Sequence, residues 1–134
     1  MFEALDMGAS ALVAQRIRMD TIAGNIANIN TLRDQQGRPN PYRRRFVLFA
    51  PGQAGDPSKP GVHVTAVKED QTPFPKHFDP GNPDADKQGY VSYPNVDLAI
   101  EMVNSLEASR AYEANVTMMD TAKSMYNSAL RLLA

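Results

Sequence analysis

Residues 94–134 leave this chain few ways to fold. The stretch PNVDLAIEMVNSLEASRAYEANVTMMDTAKSMYNSALRLLA has no Gly and, after Pro94, no Pro. Apolar or small residues return at Ala108, Ala111/Tyr112, Asn115, Met118/Met119, Ala122, Met125/Tyr126, Ala129 and Leu132/Leu133. Steps of three and four put these positions on one helix face. Asn95 is placed to cap the start. Asp97 and Glu101 stand where the helix dipole favours carboxylates, and Arg131 where it favours a cation. A helix over 96–133 would be about 55 Å long. A compact chain of this length has a radius of gyration of ~14 Å, hence a diameter of about 36 Å. Such a helix is either broken or part of an elongated molecule that hides its stripe against something else.

Residues 3–29 predict a second long helix. Leu5, Gly8, Leu12, Gln15, Met19, Ile22, Ile26 and Ile29 recur at alternating steps of three and four, with Gln15 as the polar interruption. Gly8 and Gly24 each lower helix propensity by about 1 kcal/mol relative to Ala. A close approach of another helix at Gly8 would compensate. The Asn-rich run 25–31 should end the helix, because Asn side chains compete for nearby backbone groups. A hinge-like exit over 30–38 follows.

The middle of the chain is different in kind. All 10 Pro lie between Pro39 and Pro94, and six of the 8 Gly between Gly37 and Gly89. No long helix can form there. Two strands are predicted, Arg43–Ala50 and Val62–Lys68, joined as a hairpin by Pro51–Pro60. A third extended piece, Gln88–Tyr93, would complete a small sheet. Residues 72–86 read as turns and extended chain. The expected fold is therefore mainly α: long N- and C-terminal helices paired as a coiled coil, with a small Pro-rich β insert or extended hairpin between them. The divisions are 1–31 for the first helix, 32–94 for the insert and 95–134 for the last helix.

The predicted pairing surface comprises Leu5, Leu12, Met19, Ile22, Ile26 and Ile29 with Ala108, Tyr112, Asn115, Met119, Ala122, Tyr126 and Leu133. Val13, Ile17, Leu98, Ile100 and Val103 fall outside it. Two helices alone cannot cover all of these, so further partners are required, most simply copies of the same or related chains.

Several chemistries fit poorly. Charge is balanced, 14 Lys+Arg against 15 Asp+Glu, which argues against nucleic acid or an anionic membrane. Arg43-Arg44-Arg45 beside Phe46 and Phe49 is the one basic cluster. On a strand its members alternate faces, and ion pairs to neighbouring acidic surfaces are the better expectation. No Cys is present, so disulfides and thiolate chemistry are excluded. The N-terminus lacks the basic region of a secretory signal, and no apolar run is long enough to span a bilayer. His77, Asp79, Asp84 and Asp86 gather oxygens that suit a hard cation. They do not follow EF-hand spacing, and Asx-turns around Pro80 and Pro83 would use the same residues. Neither His has a nearby nucleophile and orienting carboxylate, and no phosphate-cradling Gly loop exists. No enzyme and no cofactor is expected. Asp6, Asp20, Glu101, Glu107, Glu113 and Asp120 are expected on solvated faces or in ion pairs between helices.

These stretches resemble the bacterial flagellar axial proteins, in particular the basal-body rod family and its proximal members. The most specific words are Tyr93-Pro94-Asn95-Val96, Glu101-Met102-Val103 and Ala108-Ser109-Arg110-Ala-Tyr112-Glu-Ala-Asn115. The run from Ala23 through Asn25 and Asn28 to Thr31 is similar to the motif closing the first helix of rod and hook proteins. Pro41–Arg45 and Phe78–Asp86 are similar to the proximal rod insert. Two positions depart. Leu32-Arg33-Asp34 stands where the distal rod and hook group has Pro-Gly-Tyr, which favours a proximal subunit. Asn82 stands where a His was expected.

The resemblance implies a structural subunit with D0-like paired helices. It is exported through the flagellar type III apparatus without a cleaved signal and assembles in the periplasmic space. Implied partners are copies of itself, other proximal and distal rod proteins, and the membrane-ring and export-gate adaptor at the rod base. Nucleic acid and direct membrane insertion are not implied. The rod would transmit motor torque to the hook and enclose the export channel. The rival reading is a coiled-coil adaptor or export chaperone of a secretion system.

Overall fold

In the computed structural model, which describes residues 2–134, the last helix starts two residues later than its sequence suggests. Asp97, not Asn95, is the N-cap: its carboxylate accepts from the backbone N–H of Ala99 and Ile100, at 2.9 and 3.2 Å. From there α2 runs unbroken over Leu98–Leu133, about 54 Å. The first helix, α1, covers Phe2–Ala27. It stops before Ile29, because Asn28 turns its amide back to donate to the Gly24 carbonyl at 2.8 Å and Thr31 hydrogen-bonds Asn28 in turn.

The two helices lie antiparallel. Phe2 meets Tyr126 with ring centroids 5.9 Å apart, Met19 meets Ser109, Arg18 meets Glu107 at 3.5 Å, and Asn25 meets Glu101. Between the first two of these pairings the helices come very close. A Cβ on Gly8 would sit 2.5 Å from Met119 Cγ. The glycine is required by packing, as its cost in helix propensity suggested.

The insert forms two separate hairpins, not one three-stranded sheet. β1 (Arg45–Pro51) pairs antiparallel with β2 (Val62–Glu69), and β3 (Lys76–Phe78) pairs antiparallel with β4 (Tyr90–Ser92). β3 arises in the stretch read as turns, where three residues are too short a run for period-two patterning to register. In the first ladder Leu48 faces Ala66 and Phe49 faces Val64, leaving Thr65 as a bulge whose hydroxyl donates to the Leu48 carbonyl at 3.2 Å.

The first hairpin folds back along α1. Near its base, Arg45 is tied to Asn25. At its tip, Ser10 Oγ accepts from Val62 N–H at 3.1 Å, which it reaches because Gly61 has no side chain. Six strand steps from Arg45 to Pro51 span about 20 Å. The fifteen helix steps from Ser10 to Asn25 span about 22 Å. The lengths match, so the hairpin braces over half of α1. The second hairpin stands apart from both helices. It is fixed by buried Val91 and Pro94, by the Arg33–Asp84 ion pair at 2.6 Å, and by Tyr93 N–H donating to the Pro75 carbonyl at 2.9 Å.

Candidate functional site

Two regions have the features of a site: a polar latch where both helices meet the insert, and the apolar surface along the helices. The latch is built around Asn25 and Glu101, both with 0% exposure. Asn25 Oδ1 accepts from Arg45 N–H at 2.9 Å and from the Tyr42 hydroxyl at 3.0 Å. Its Nδ2 donates to the Arg45 carbonyl at 2.8 Å and to Glu101 Oε2 at 3.2 Å. Every hydrogen-bonding atom of this buried amide is used, as burial demands. The other carboxylate oxygen of Glu101 accepts from Arg44 Nε, and Arg44 also reaches Asp70 at 3.3 Å.

Asn95 completes the arrangement. Its side-chain oxygen accepts from Arg44 N–H at 2.8 Å, and its amide donates to the carbonyls of Asp70 and Thr72 at 3.0 Å each. Arg43 donates to the Asp70 carbonyl at 2.9 Å and lies 4.2 Å over the Phe74 ring.

This corrects two expectations. Asn95 is a cross-link, not a cap. Glu101 is buried and ion-paired to Arg44 of the insert, neither solvated nor in an ion pair between helices. In the arginine cluster, Arg43 and Arg44 are half-buried and Arg45 is exposed; Arg44 makes its ionic contacts with Glu101 and Asp70. A chain reading cannot show that Arg44 and Glu101, 57 positions apart, share one site. The local signal was the adjacency of three cations in a chain with no basic excess.

The local electrostatics follow from these bonds. Hydrogen bonds from the Thr72 hydroxyl and N–H, helped by Arg44, hold the Asp70 carboxyl below its ordinary value. Burial raises the Tyr42 phenol above its ordinary value against the opposing pull of Arg45.

The candidate cation loop is organised as turns. Asn82 Oδ1 accepts from Asp84 N–H at 2.9 Å. Asp86 accepts from Gln88 and Tyr90 N–H at 2.8 and 2.9 Å, which lowers its pKa. His77 packs edge-on against Tyr93, 5.0 Å between centroids. Among the described residues, no group of three His, Asp or Glu has a metal-holding arrangement. The 30–38 exit is likewise closed into a turn, with Asp34 accepting from Gln36 and Arg38 N–H.

Along the helices, Ala108 is fully buried and Ile22 nearly so. Leu5, Leu12, Met19 and Ile26, with Tyr112, Asn115, Met119, Ala122 and Tyr126, are half-buried on the two helices; Ile29 is half-buried in the turn beyond α1. Ser109 approaches Met19, and Arg110 faces solvent. Leu133 lies past the N-terminal end of α1 and is exposed. Val13, Leu98, Ile100, Met102, Val103 and Leu106 are exposed too. The accessible surface is 9157 Å² for a 14.7 kDa chain. A compact monomer of that mass exposes roughly 6,900 Å². The excess has the size of an obligate interface.

Residues 5–33 match the family described as flagella basal body rod protein, and residues 87–132 match the C-terminal family of the flagellar basal body rod FlgEFG proteins. Relatives named flagellar basal-body rod protein FlgC align almost end to end. That of Borreliella burgdorferi is 41% identical over 99% of this chain and 97% of its own length. That of Salmonella typhimurium is 44% identical over 95% and 93%. In Bacillus subtilis the figures are 40%, 98% and 97%. The chain belongs to the FlgC family of flagellar basal-body rod proteins. Within that family frame the latch has a clear position. Asn25 lies in the first matched stretch, Asn95 and Glu101 in the second, and Arg44, Arg45 and Asp70 in the insert between them. The rod-subunit reading is thereby favoured over the adaptor or chaperone.

Proposed function

We propose that this chain is a non-catalytic structural subunit of the proximal flagellar rod. The observation that carries this is end-to-end similarity to FlgC proteins in a molecule whose long helices leave apolar faces uncovered. The helical division is made of residues 1–31 and 95–134, and within it α1 and α2 pair as a D0-like coiled coil. Leu5, Leu12, Met19, Ile22 and Ile26 on one helix face Ala108, Tyr112, Asn115, Met119, Ala122 and Tyr126 on the other. Their outer faces pack against copies of the chain and against other proximal and distal rod proteins, with the membrane-ring and export-gate adaptor at the base. The insert, residues 32–94, stiffens the shaft by bracing the helix pair. The chain reaches its place through the flagellar type III apparatus. The assembled rod passes motor torque to the hook around the export channel.

Deleting the gene in its host should abolish rod, hook and motility together, and restoring this chain should return all three. Motility that survives deletion refutes the reading. Leu12→Asp or Ala122→Asp should abolish rod assembly, because each puts a charge into the pairing surface. A working rod built from either variant would disprove the seam.

A further inference from the structure

The helix pair is uneven at one end. Phe2 of α1 stacks on Tyr126 of α2, yet α2 continues to Leu133. Among the described residues, no helix lies beside those last two turns. They carry exposed Leu130, Leu132 and Leu133 and a single charged side chain, Arg131, which makes no ion pair among the described residues. Leu130 and Leu133 are three apart and continue the side of α2 that holds Tyr126.

Elsewhere the molecule has a groove of matching chemistry. It runs between the outer face of α1 and the first hairpin and encloses about 370 Å³. Val13, Ala14 and Ile17 form one wall, and Val62 and Val64 the other. Val13 is 60% exposed although it faces this apolar space. Asp6 lines the groove and makes no ion pair among the described residues. The chain's own overhang cannot occupy the groove. It extends beyond the start of α1, whereas the groove runs from Asp6 to Ile17, about 16 Å in the opposite direction.

We propose that the last two turns of α2 seat in the α1–β2 groove of a second copy of this chain. Leu130 and Leu133 lie against Val13, Ile17 and Val62, and Arg131 faces Asp6. The proposal rests on reading the chain as an assembling subunit. It supplies a contact that is heterologous: the donor end of one copy enters the acceptor side of the next, so the contact propagates instead of closing on itself. Two helical turns bury far less than a stable interface requires. Copies therefore stay apart when dilute and associate at high concentration, or where other rod contacts already align them.

The absence of Cys makes the contact directly testable. Full-length Val13→Cys and Leu130→Cys chains are purified separately, mixed at high concentration and mildly oxidised. Both positions are exposed, and circular dichroism checks that the fold is kept. The expected product is a disulfide-linked dimer holding one of each variant. Adding Asp6→Arg to the Val13→Cys chain should reduce its yield severalfold, and adding Arg131→Asp to the partner should restore it. Only like-with-like dimers, no dimer, or no restoration by the charge swap would overturn the docking. A tagged natural chain followed in its host separates the two levels: if it enters rods while the Val13→Cys and Leu130→Cys chains fail to link, the docking alone is defeated, whereas its failure to enter rods defeats the subunit reading.

Discussion

The two ends of the helix pair solve opposite problems. At the latch end, buried polar groups from both helices and the insert are saturated by one another, and Glu101 has no contact with solvent. At the far end, Leu132 and Leu133 on α2 are 88% and 86% exposed. The polar groups of the latch are satisfied within one chain, although Leu98, Ile100, Met102 and Val103 around it stay exposed. The far end has no polar network and leaves its leucines open. Buried hydrogen bonds are directional and fix register. Apolar surface is indifferent to which chain covers it, and is thus suited to a subunit that exchanges solvent for neighbours.

Breaking the latch tests this contrast most severely. Glu101→Ala leaves the Arg44 guanidinium and the Asn25 amide without their shared acceptor. The monomer should lose about 3 kcal/mol, the low end for a broken buried pair because Asp70 still holds Arg44. Denaturant unfolding of the full chain measures it, and a change under about 0.5 kcal/mol would mean the latch is not the stable end.

Midway along the pair the effect should be smaller. Gly8→Val forces the helices apart at Met119 and should cost about 1–3 kcal/mol. Met119→Ala in the same chain should recover part of it, and strict additivity would show that the two residues do not meet.

A weaker effect is expected from pH. The folded Asp70 carboxyl titrates below its ordinary 3.8, so its contribution is present above that pH and lost as pH falls through the lowered value. Stability measured stepwise below pH 3.8 should decline less steeply in Asp70→Asn than in the natural chain; equal slopes would remove Asp70 from the latch's electrostatics.

Smallest of all, Leu132→Ser should change monomer stability by less than about 0.5 kcal/mol. A larger loss would mean that the far end is covered within the monomer.

Much of this architecture was legible in the chain itself. Freedom from Gly and Pro after Pro94, together with steps of three and four, required a helix too long for a globule of this size. The confinement of Pro to 39–94 required a non-helical insert. Gly8 announced a close approach. These signals are local or periodic, and the backbone reads them wherever they occur. The tertiary structure alone decided which polar residues matter. Asn95 and Asp97 are both good caps by type, and only the position of Arg44 and of the Asp70 and Thr72 carbonyls assigns Asn95 to cross-linking and Asp97 to the cap. Glu101 in the first turn reads as a dipole partner in solvent until the insert folds over it. The break between the two hairpins was equally hidden, since a three-residue strand is defined by its partner and not by its pattern. Periodicity determined that two long helices exist and need cover. The pairing of residues far apart in sequence, which depends on the path of the insert, decided which surfaces the chain covers by itself and which it leaves open.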